Sequence, residues 1–434
     1  MFTSKCVGRQ RAPRWLRLGQ LAIYLLSMGA VSASTLSLDE LRQHVREAAP
    51  NVLAERARVA AAEQNSARAA ALPDPQLMLG IDNLTIDGPQ AFALGADMMT
   101  MRRIGLRQQW PSRAKRDARQ ALADAAVEVA LGNWQAQRFA AELGAGAAWI
   151  AVWAAEAERA LLLELQEEAG RAVQLAKARF SSAQAGAAEA LAAQSAALEV
   201  EIMLSANTAE IESARAELAR WHDASSERTL AELPDLDLLR TSISDLRSRL
   251  AQQAPLQSWA GLSRAAAADV SLAESGKRPD IGLGLSYGAR SAGRPDMLMF
   301  EVSIDLPLFK RQRQDREVAA KRAEAEALRA DFEHALRAQQ AALEGLIAEW
   351  RSLGEQVASY ESQLLPLVRD RSRLSLSDFA HGGALQAWLD ARQAELKAGR
   401  EAIELRAERA RVWLQLDSLL PTDPTAQRNQ ELAP

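Results

Sequence analysis

Two stretches of the chain alternate between apolar and polar residues and then change to helical composition at a proline. From Leu298 to Leu306 every second residue is Leu, Phe, Val or Ile, and this period of two predicts a β-strand with one apolar face. The alternation stops at Pro307, and from about Lys310 the chain is rich in Ala, Glu, Arg, Gln and Leu, which favours a helix. Residues 99–111 show the same order of strand, proline and helix.

The spacing of several landmarks indicates that this arrangement arose by an internal duplication. Pro111 and Pro307 are 196 residues apart, and the glycines at 186 and 382 are also 196 apart. One offset that relates two separate landmarks is typical of a repeated unit. Pro50 and Pro255 are 205 residues apart, so the first copy or the linker holds extra residues. We expect the loop at 84–98 to hold them, which would make the first hairpin loop the longer one.

Each copy is predicted to contain a helix, then a β-hairpin, then a long helical hairpin, so the fold class is mainly α with a small β part. The predicted bounds are 34–221 for repeat 1, with its β-hairpin at 76–110 and its helical hairpin at 112–221, a linker at 222–240, 241–420 for repeat 2, with its β-hairpin at 280–306 and its helical hairpin at 308–420, and a polar tail at 421–434.

The first long helix is predicted to pack against partner helices. No proline occurs between Ser112 and Phe180, and at about 1.5 Å per residue this stretch makes a helix of roughly 100 Å. From Leu122 to Ala160, small and apolar residues recur at alternating spacings of three and four. A mean spacing near 3.5 implies left-handed supercoiling.

The first 33 residues are predicted to be a signal peptide. Basic residues precede a short apolar run at 18–31, and Val31-Ser-Ala33 fits a small-residue cleavage site. Cys6, the single cysteine, precedes the apolar run, so it cannot serve as a lipid anchor, and the exported chain would have no thiol. No other segment resembles a membrane helix, so a membrane role would require a β-barrel or a surface attachment.

The predicted hairpins have the dimensions of membrane strands. Each copy contributes two strands of roughly ten residues with one apolar face and one polar or glycine-rich face, as in a membrane β-barrel. Four strands cannot close a barrel, so a cyclic oligomer would have to supply the others.

The order of these elements resembles the outer-membrane factors of Gram-negative tripartite pumps, the TolC family, over nearly the whole exported chain. The resemblance depends on the duplicated unit, on second strands that end at Pro111 and Pro307, and on glycine-containing turns near residues 186 and 382. It implies a homotrimer with a twelve-stranded barrel in lipid of the outer membrane and an α-barrel that extends into the periplasm. It also implies two partners, a periplasmic adaptor protein and an inner-membrane resistance-nodulation-division transporter.

Within that family, residues 72–77, 87–89 and 97–111 look like the branch that serves heavy-metal efflux. Several members of the copper branch carry a lipidated cysteine after the signal peptide, and this chain has none there. The resemblance therefore favours a metal-efflux duct that is not lipidated.

The resemblance assigns the two helical turns to a gate and to adaptor docking. In the family's best-known member, acidic residues after the second turn surround the pore entrance, and here the corresponding positions fall on or near Trp388 and Ala391. Asp390 is the nearest acid, so the gate is either acidic through Asp390 or an apolar constriction through Trp388. The adaptor-docking residues implied by the resemblance are Arg179, Phe180, Gly186, His381, Gly382 and Gly383.

Charged residues on the predicted polar strand face leave two interpretations open. Arg103 and Arg107 either line the pore and bias ion passage, or they pair with Glu301 and Asp305 on the strand of the other copy.

Thioether and imidazole groups were weighed as metal ligands. Five methionines, at 98, 99, 101, 297 and 299, lie near the strand ends, and thioethers suit Cu(I), but side chains that fill space near a loop are the simpler interpretation. The histidines at 44, 222, 334 and 381 are far apart in the sequence, so we expect no histidine pair and no metal site.

The remaining features exclude most other classes of function. The sequence has no Ser/His/Asp set, Walker loop or dinucleotide fingerprint, so we predict no enzyme and no cofactor. A net charge of −4 does not favour nucleic-acid binding. The leading hypothesis is an exit duct for heavy-metal cations, with drug efflux or type I secretion as variants. The alternative of another class is a periplasmic coiled-coil scaffold without a pore, which would not need the four strands.

Overall fold

The computed structural model describes residues 35–95, 97–223, 228–290 and 293–421. The predicted signal peptide and residues 422–434 of the predicted tail lie outside the described residues. The chain is mainly helical with one small sheet, as predicted. The elements are α1 (Leu38–Ala48), α2 (Pro50–Ala69), β1 (Gln76–Asp82), β2 (Met101–Trp110), α3 (Arg113–Ser181), α4 (Ala187–Ala219), α5 (Ile243–Ser248), α6 (Trp259–Ser275), β3 (Ile281–Arg290), β4 (Met297–Ile304), α7 (Gln314–Ser359), a π-helical turn (Tyr360–Leu364), α8 (Leu365–Ala380) and α9 (Leu385–Ser418).

Local sequence explains where the first helices begin. The Ser37 side chain accepts a hydrogen bond from the backbone N–H of Glu40 at 3.1 Å and so caps α1. Pro50 occupies the first turn of α2, where its missing N–H costs nothing. The third long helix, α3, begins after Ser112, whose side chain accepts from the N–H of Lys115.

The two hairpins form one antiparallel sheet in the order β1-β2-β3-β4. The two copies therefore meet between β2 and β3, where Met101 lies opposite Arg290 and Trp110 lies opposite Ile281. The loop between β1 and β2 spans residues 83–100, whereas that between β3 and β4 spans 291–296. The first loop is the longer one, as the landmark spacing predicts.

One face of the sheet is apolar and is not covered by any described part of the chain. Leu79 is 72% exposed and Phe300 is 77% exposed. The other exposed apolar residues on this face are Leu77, Ile81, Ile104, Leu106, Ile281, Leu283, Leu285, Tyr287, Leu298, Val302 and Ile304. An exposed apolar surface of this kind indicates contact with another protein or with a membrane.

The long helices run away from the sheet and return to it. Helix α3 has 69 residues, so it is about 100 Å long, and it packs against α4, α6 and α9. Ala118, Ala125 and Gly132 are buried at intervals of seven residues, which agrees with the predicted 3.5-residue period. Among the described residues, no helix is long and apolar enough to cross a membrane.

Close contact between α3 and α6 depends on glycine at two positions. A Cβ at Gly132 would stand 2.4 Å from the Cα of Ser258, and a Cβ at Gly261 would stand 2.5 Å from the backbone nitrogen of Val129. Neither distance leaves room for a side chain, so the backbones of these two helices touch.

The second copy departs from the predicted helices at three places. The helix predicted from Ser242 to Ser275 is interrupted by two 3₁₀ turns, the second of which contains Pro255. The helix predicted from about Lys310 begins at Gln314. A π-helical turn at Tyr360–Leu364 directly precedes Pro366, because proline removes a backbone N–H and disturbs the hydrogen bonds of the preceding turn.

A buried arginine connects three helices below the sheet. Arg42 of α1 lies 3.3 Å from Glu142 of α3 and 2.8 Å from Asp417 of α9. It also donates to the Ser418 hydroxyl at 2.8 Å. The side chains of Arg42 and Asp417 are almost completely buried, so each charge depends on the other for compensation.

We predict that Arg42→Met destabilises the protein strongly. The substitution keeps most of the side-chain volume but leaves Glu142 and Asp417 buried without their central partner, which costs about 3–5 kcal/mol. Arg58→Met is the matched control, because Arg58 lies on the next helix and is 69% exposed in its pair with Glu55. Thermal unfolding followed by circular dichroism should show a large fall in Tm for Arg42→Met alone. Equal Tm values for both variants would contradict the prediction.

Candidate functional site

Two regions carry the residues that the sequence singles out, and they lie at opposite ends of α3. The polar face of the sheet is at its beginning. The two helical tips, which are the turn at 182–186 between α3 and α4 and the turn at 381–384 between α8 and α9, are at its far end. We describe the sheet first and the tips second.

Glycines on β3 allow side chains of its two neighbouring strands to meet. Arg107 of β2 lies opposite Gly284, and Gly284 lies opposite Glu301 of β4. Because Gly284 has no side chain, the Arg107 guanidinium reaches across β3 to within 3.8 Å of the Glu301 carboxylate. It also donates to the Ser303 hydroxyl at 3.0 Å. This is the predicted pairing between the two copies.

Arg103 and Asp305 do not follow that prediction. The Arg103 guanidinium lies 3.1 Å from the carboxylate of Asp82 on β1, which belongs to the same copy as Arg103. Asp305 forms no ion pair with any described residue, and its backbone N–H donates to the Asp280 carbonyl at 3.0 Å. The pairing predicted for Arg103 is therefore wrong, since the neighbouring strand β1 supplies a nearer acid.

A carboxylate joins the sheet to the first long helix. Asp280, directly before β3, accepts from the backbone N–H of Ser112 at 2.8 Å and lies 2.6 Å from the Lys115 ammonium. Ser112 and Lys115 belong to the start of α3, so this aspartate fixes the junction of strand and helix between the two copies.

Arg179 connects the two helical tips. Its Nη1 donates to the carbonyl oxygens of Phe379 and Gly383, each at 2.9 Å. Its guanidinium also lies over the Phe379 ring at 4.8 Å and 3.4 Å from Glu189 at the start of α4. One side chain of the first tip thus holds the backbone of the second. The sequence pattern does not reveal this contact, because the acceptors are backbone carbonyls.

The remaining tip residues divide into structural and exposed ones. Gly382 has φ of +105°, which a residue with a side chain adopts only with strain, and a Cβ at Gly383 would stand 2.8 Å from the Asp378 carbonyl oxygen. His381 is exposed with its Nδ1 2.8 Å from the Ser377 carbonyl oxygen. Gly186 precedes α4 as its N-cap. The Phe180 side chain is exposed, so it is available for contact with another protein.

Trp388 is a core residue in this conformation. It is completely buried, with Phe379 and Leu385 and with alanines of α3 and α4 around it. It therefore presents no surface to a pore, which removes the apolar constriction that the sequence leaves open at this position. Asp390 is exposed and accepts from the Gln386 side-chain amide at 2.8 Å, so it is the acid that could face a lumen.

Beyond Trp388, the same side of α9 carries a buried charged pair of positions, Arg392 and Glu395. Arg392 donates to the Leu165 carbonyl of α3. Burial raises the pKa of the Glu395 carboxyl, against the opposing effect of the Ser372 hydroxyl, and the nearby Glu168 raises it further. Because an acid with a raised pKa is least costly when protonated, this segment of α9 is more stable at lower pH.

A histidine pair corrects another expectation. The rings of His44 and His222 lie with centroids 4.4 Å apart, although 178 residues separate them in the sequence. The expectation of no close histidine pair is wrong, because folding brings α1 next to the end of α4. Burial lowers the pKa of His222, and the neighbouring His44 lowers it further. Among the described residues, no group of three or more His, Cys, Asp or Glu side chains could hold a metal ion.

Comparison with solved structures gives clear similarities at low sequence identity. The outer-membrane channel OprN matches with a TM-score of 0.71 and 17% identity over 88% of this chain and 89% of that chain. The outer membrane protein VceC from Vibrio cholerae matches with a TM-score of 0.72 and 16% identity over 87% and 94%. CusC, in which conformational changes accompany transmembrane channel formation, matches with a TM-score of 0.72 and 14% identity over 89% and 92%.

Comparison with protein-family models gives no match, and comparison with curated proteins gives none. At identities of 14–17% the similarity concerns three-dimensional structure. This chain therefore has, over nearly nine-tenths of its length, the fold of these outer-membrane channels.

Proposed function

We propose that this protein is an outer-membrane channel that acts as the exit duct of a tripartite efflux pump. The observation that carries the proposal is the match of nearly the whole chain, sheet and long helices together, to the outer-membrane channels OprN and VceC. In this proposal the sheet lies in the outer membrane and the helices extend into the periplasm. The chain transports and does not catalyse a reaction.

The open sheet supports a homotrimer. Its apolar face is exposed along all four strands, which suits lipid, and its other face carries the charged residues and glycines, which suits water. Four strands from each of three chains make a barrel of twelve, and a barrel leaves no sheet edge unpaired. A periplasmic scaffold would have no use for such a face.

The duplication supplies the register of the contact between protomers. The hairpin registers relate β2 to β4 by 196 residues and β1 to β3 by 206. In this relation, β4 of one chain and β1 of the next correspond to β2 and β3, which pair within the chain. The same register transferred to the protomer contact places Ser303 opposite Met78 and Val302 opposite Leu79.

Charges next to these strands support that register. The equivalents of Asp280 and Lys115, which pair within the chain, are Asp74 and Arg311. Both are exposed, and neither forms an ion pair with a described residue of its own chain. In the trimer, Asp74 of one protomer would lie where Arg311 of the next can pair with it.

The tips are proposed to form the gate and to dock a periplasmic adaptor, which would connect the duct to an inner-membrane resistance-nodulation-division transporter. Asp390 is exposed near the second tip, and Phe180, His381 and Gly382 are exposed at the tips themselves. Arg179 holds the two tips of one protomer together, so a change of gate conformation would have to move them as one unit or break its hydrogen bonds.

Heavy-metal cations are the proposed cargo, because residues 72–111 resemble the metal-efflux branch of the family. The inner-membrane transporter selects the cargo, so drugs or a secreted protein would need no change in the duct's fold. Deletion of the gene followed by growth in copper, silver, zinc, cobalt, cadmium and drugs tests this assignment. Sensitivity to drugs alone would contradict it.

The channel itself is tested in planar lipid bilayers. We predict that the purified full-length protein migrates as a heat-sensitive oligomer on gels and gives stepwise ion conductance. A protein that stays soluble without detergent and gives no conductance would overturn the proposal in favour of a scaffold.

We predict that cysteines placed in the derived register cross-link neighbouring protomers. The exported chain has no cysteine of its own, so Ser303→Cys/Met78→Cys and Val302→Cys/Leu79→Cys should each form disulfide-linked trimers on oxidation. Two pairs are needed, because adjacent pairs in an antiparallel ladder alternate in separation. Ser303→Cys/Leu79→Cys is the matched control, since its cysteines point to opposite faces. Cross-linking of the control alone would refute the register.

We also predict that Arg179→Ala loosens the tips. The substitution removes two hydrogen bonds from a charged donor, which contribute about 1.5–3 kcal/mol each, so the closed arrangement loses stability and the bilayer conductance should increase. Arg171→Ala is the control, because Arg171 lies two turns earlier on α3 and is 66% exposed in a pair with Glu167. The prediction fails if Arg179→Ala and Arg171→Ala conduct equally.

A further inference from the structure

Six of the nine methionines of the chain lie at one end of the small sheet. Met78, Met101, Met297 and Met299 are on its strands, and Met98 and Met99 directly precede β2. The strand methionines share the polar face, because Met101 and Met299 lie in register with residues of that face, Arg290 and Ser286. These thioethers therefore alternate with charged residues, serines and glycines and are not part of the apolar face.

Two of these side chains converge over one glycine. A Cβ at Gly288 would stand 2.9 Å from the Met101 Sδ and 3.3 Å from the Met299 Cε. Met101 comes from β2 and Met299 from β4, so both side chains bend over β3 from opposite sides. Met297 lies directly opposite Gly288 in the ladder and is 42% exposed. Three thioethers from the two strands that flank β3 thus surround the space above Gly288.

The surrounding charges make this a place of weak binding. Arg103 lies opposite Gly288, but its charge is compensated by Asp82 at 3.1 Å. The Arg290 Nη1 lies 4.0 Å from the Met297 Sδ. A nearby guanidinium disfavours a divalent cation more than a monovalent one. Neutral thioether sulfurs are soft ligands that select Cu(I) and Ag(I) over Zn²⁺ or Mg²⁺.

We propose that Met101, Met297 and Met299 form a thioether site for a soft monovalent metal ion, Cu(I) or Ag(I), on the polar face of the sheet. The inference rests on the proposed function, since it assigns a chemical class to the cargo that passes that face. Gly288 keeps the space open, and the arginines keep the affinity low enough for release, which a duct requires. Space-filling alone would be served equally well by leucine, which gives the experiment its contrast.

The test uses the full-length protein in detergent with Ag(I), which needs no reductant, and isothermal titration calorimetry. The wild type should bind one Ag(I) per chain, and X-ray absorption should show sulfur scatterers. Met101→Leu/Met299→Leu should weaken the affinity by about tenfold or more. Gly288→Ala should weaken it as well, because its methyl group displaces the Met101 sulfur. Met203→Leu, on α4, is the matched control and should bind as the wild type does. Zn²⁺ should give no heat at this site.

Two results would overturn the inference. One is equal Ag(I) affinity of the wild type and Met101→Leu/Met299→Leu, and the other is absorption data that show only oxygen and nitrogen neighbours. Bilayer conductance in NaCl separates this inference from the proposed function. If the double variant conducts as the wild type does and neither binds Ag(I) through sulfur, the channel stands and the metal site fails. If the wild type does not conduct, the proposed function fails whatever the calorimetry gives.

Discussion

An incomplete sheet determines much of this structure. Four strands form an antiparallel ladder whose edges, β1 and β4, have no partner in the described chain, and whose apolar face remains exposed. Unpaired edge groups and exposed apolar area are both unfavourable in water and more so in lipid. The chain therefore needs copies of itself at the edges and a membrane at the face. The long helices, which are soluble in character, extend the same assembly beyond that membrane.

Duplication solves the problem of the edges. Because β4 and β1 are repeat equivalents of β2 and β3, the contact that joins the two copies within the chain serves as a template for the contact between chains. The glycines of β3 have a second consequence. They let Arg107 reach Glu301 across one strand, so positive and negative charges on the polar face are compensated inside each protomer. A lumen lined in this way is wet without a strong field of either sign.

The sequence predicts the parts of the fold that follow from local periodicity. The four strands, the long helices and the longer first loop follow from the alternation of residues and from proline positions. The start of α7 at Gln314, the π-helical turn before Pro366 and the broken helix after Ser242 depend on how neighbouring segments pack, so they were missed. The contacts of Arg179, the partner of Arg103 and the burial of Trp388 were missed for the same reason, since none is local in sequence.

The two candidate regions differ in the strength of interaction that their roles allow. At the tips, Arg179 combines two hydrogen bonds, an ion pair and an aromatic contact in one partly buried side chain, which suits a closed state that must hold. On the sheet, the arginines are already paired with acids, and the remaining uncommitted ligands are neutral thioethers. A duct transports only what it also releases. Groups that interact weakly and selectively with a soft cation fit that requirement better than a ring of unpaired carboxylates, which would retain every cation that enters.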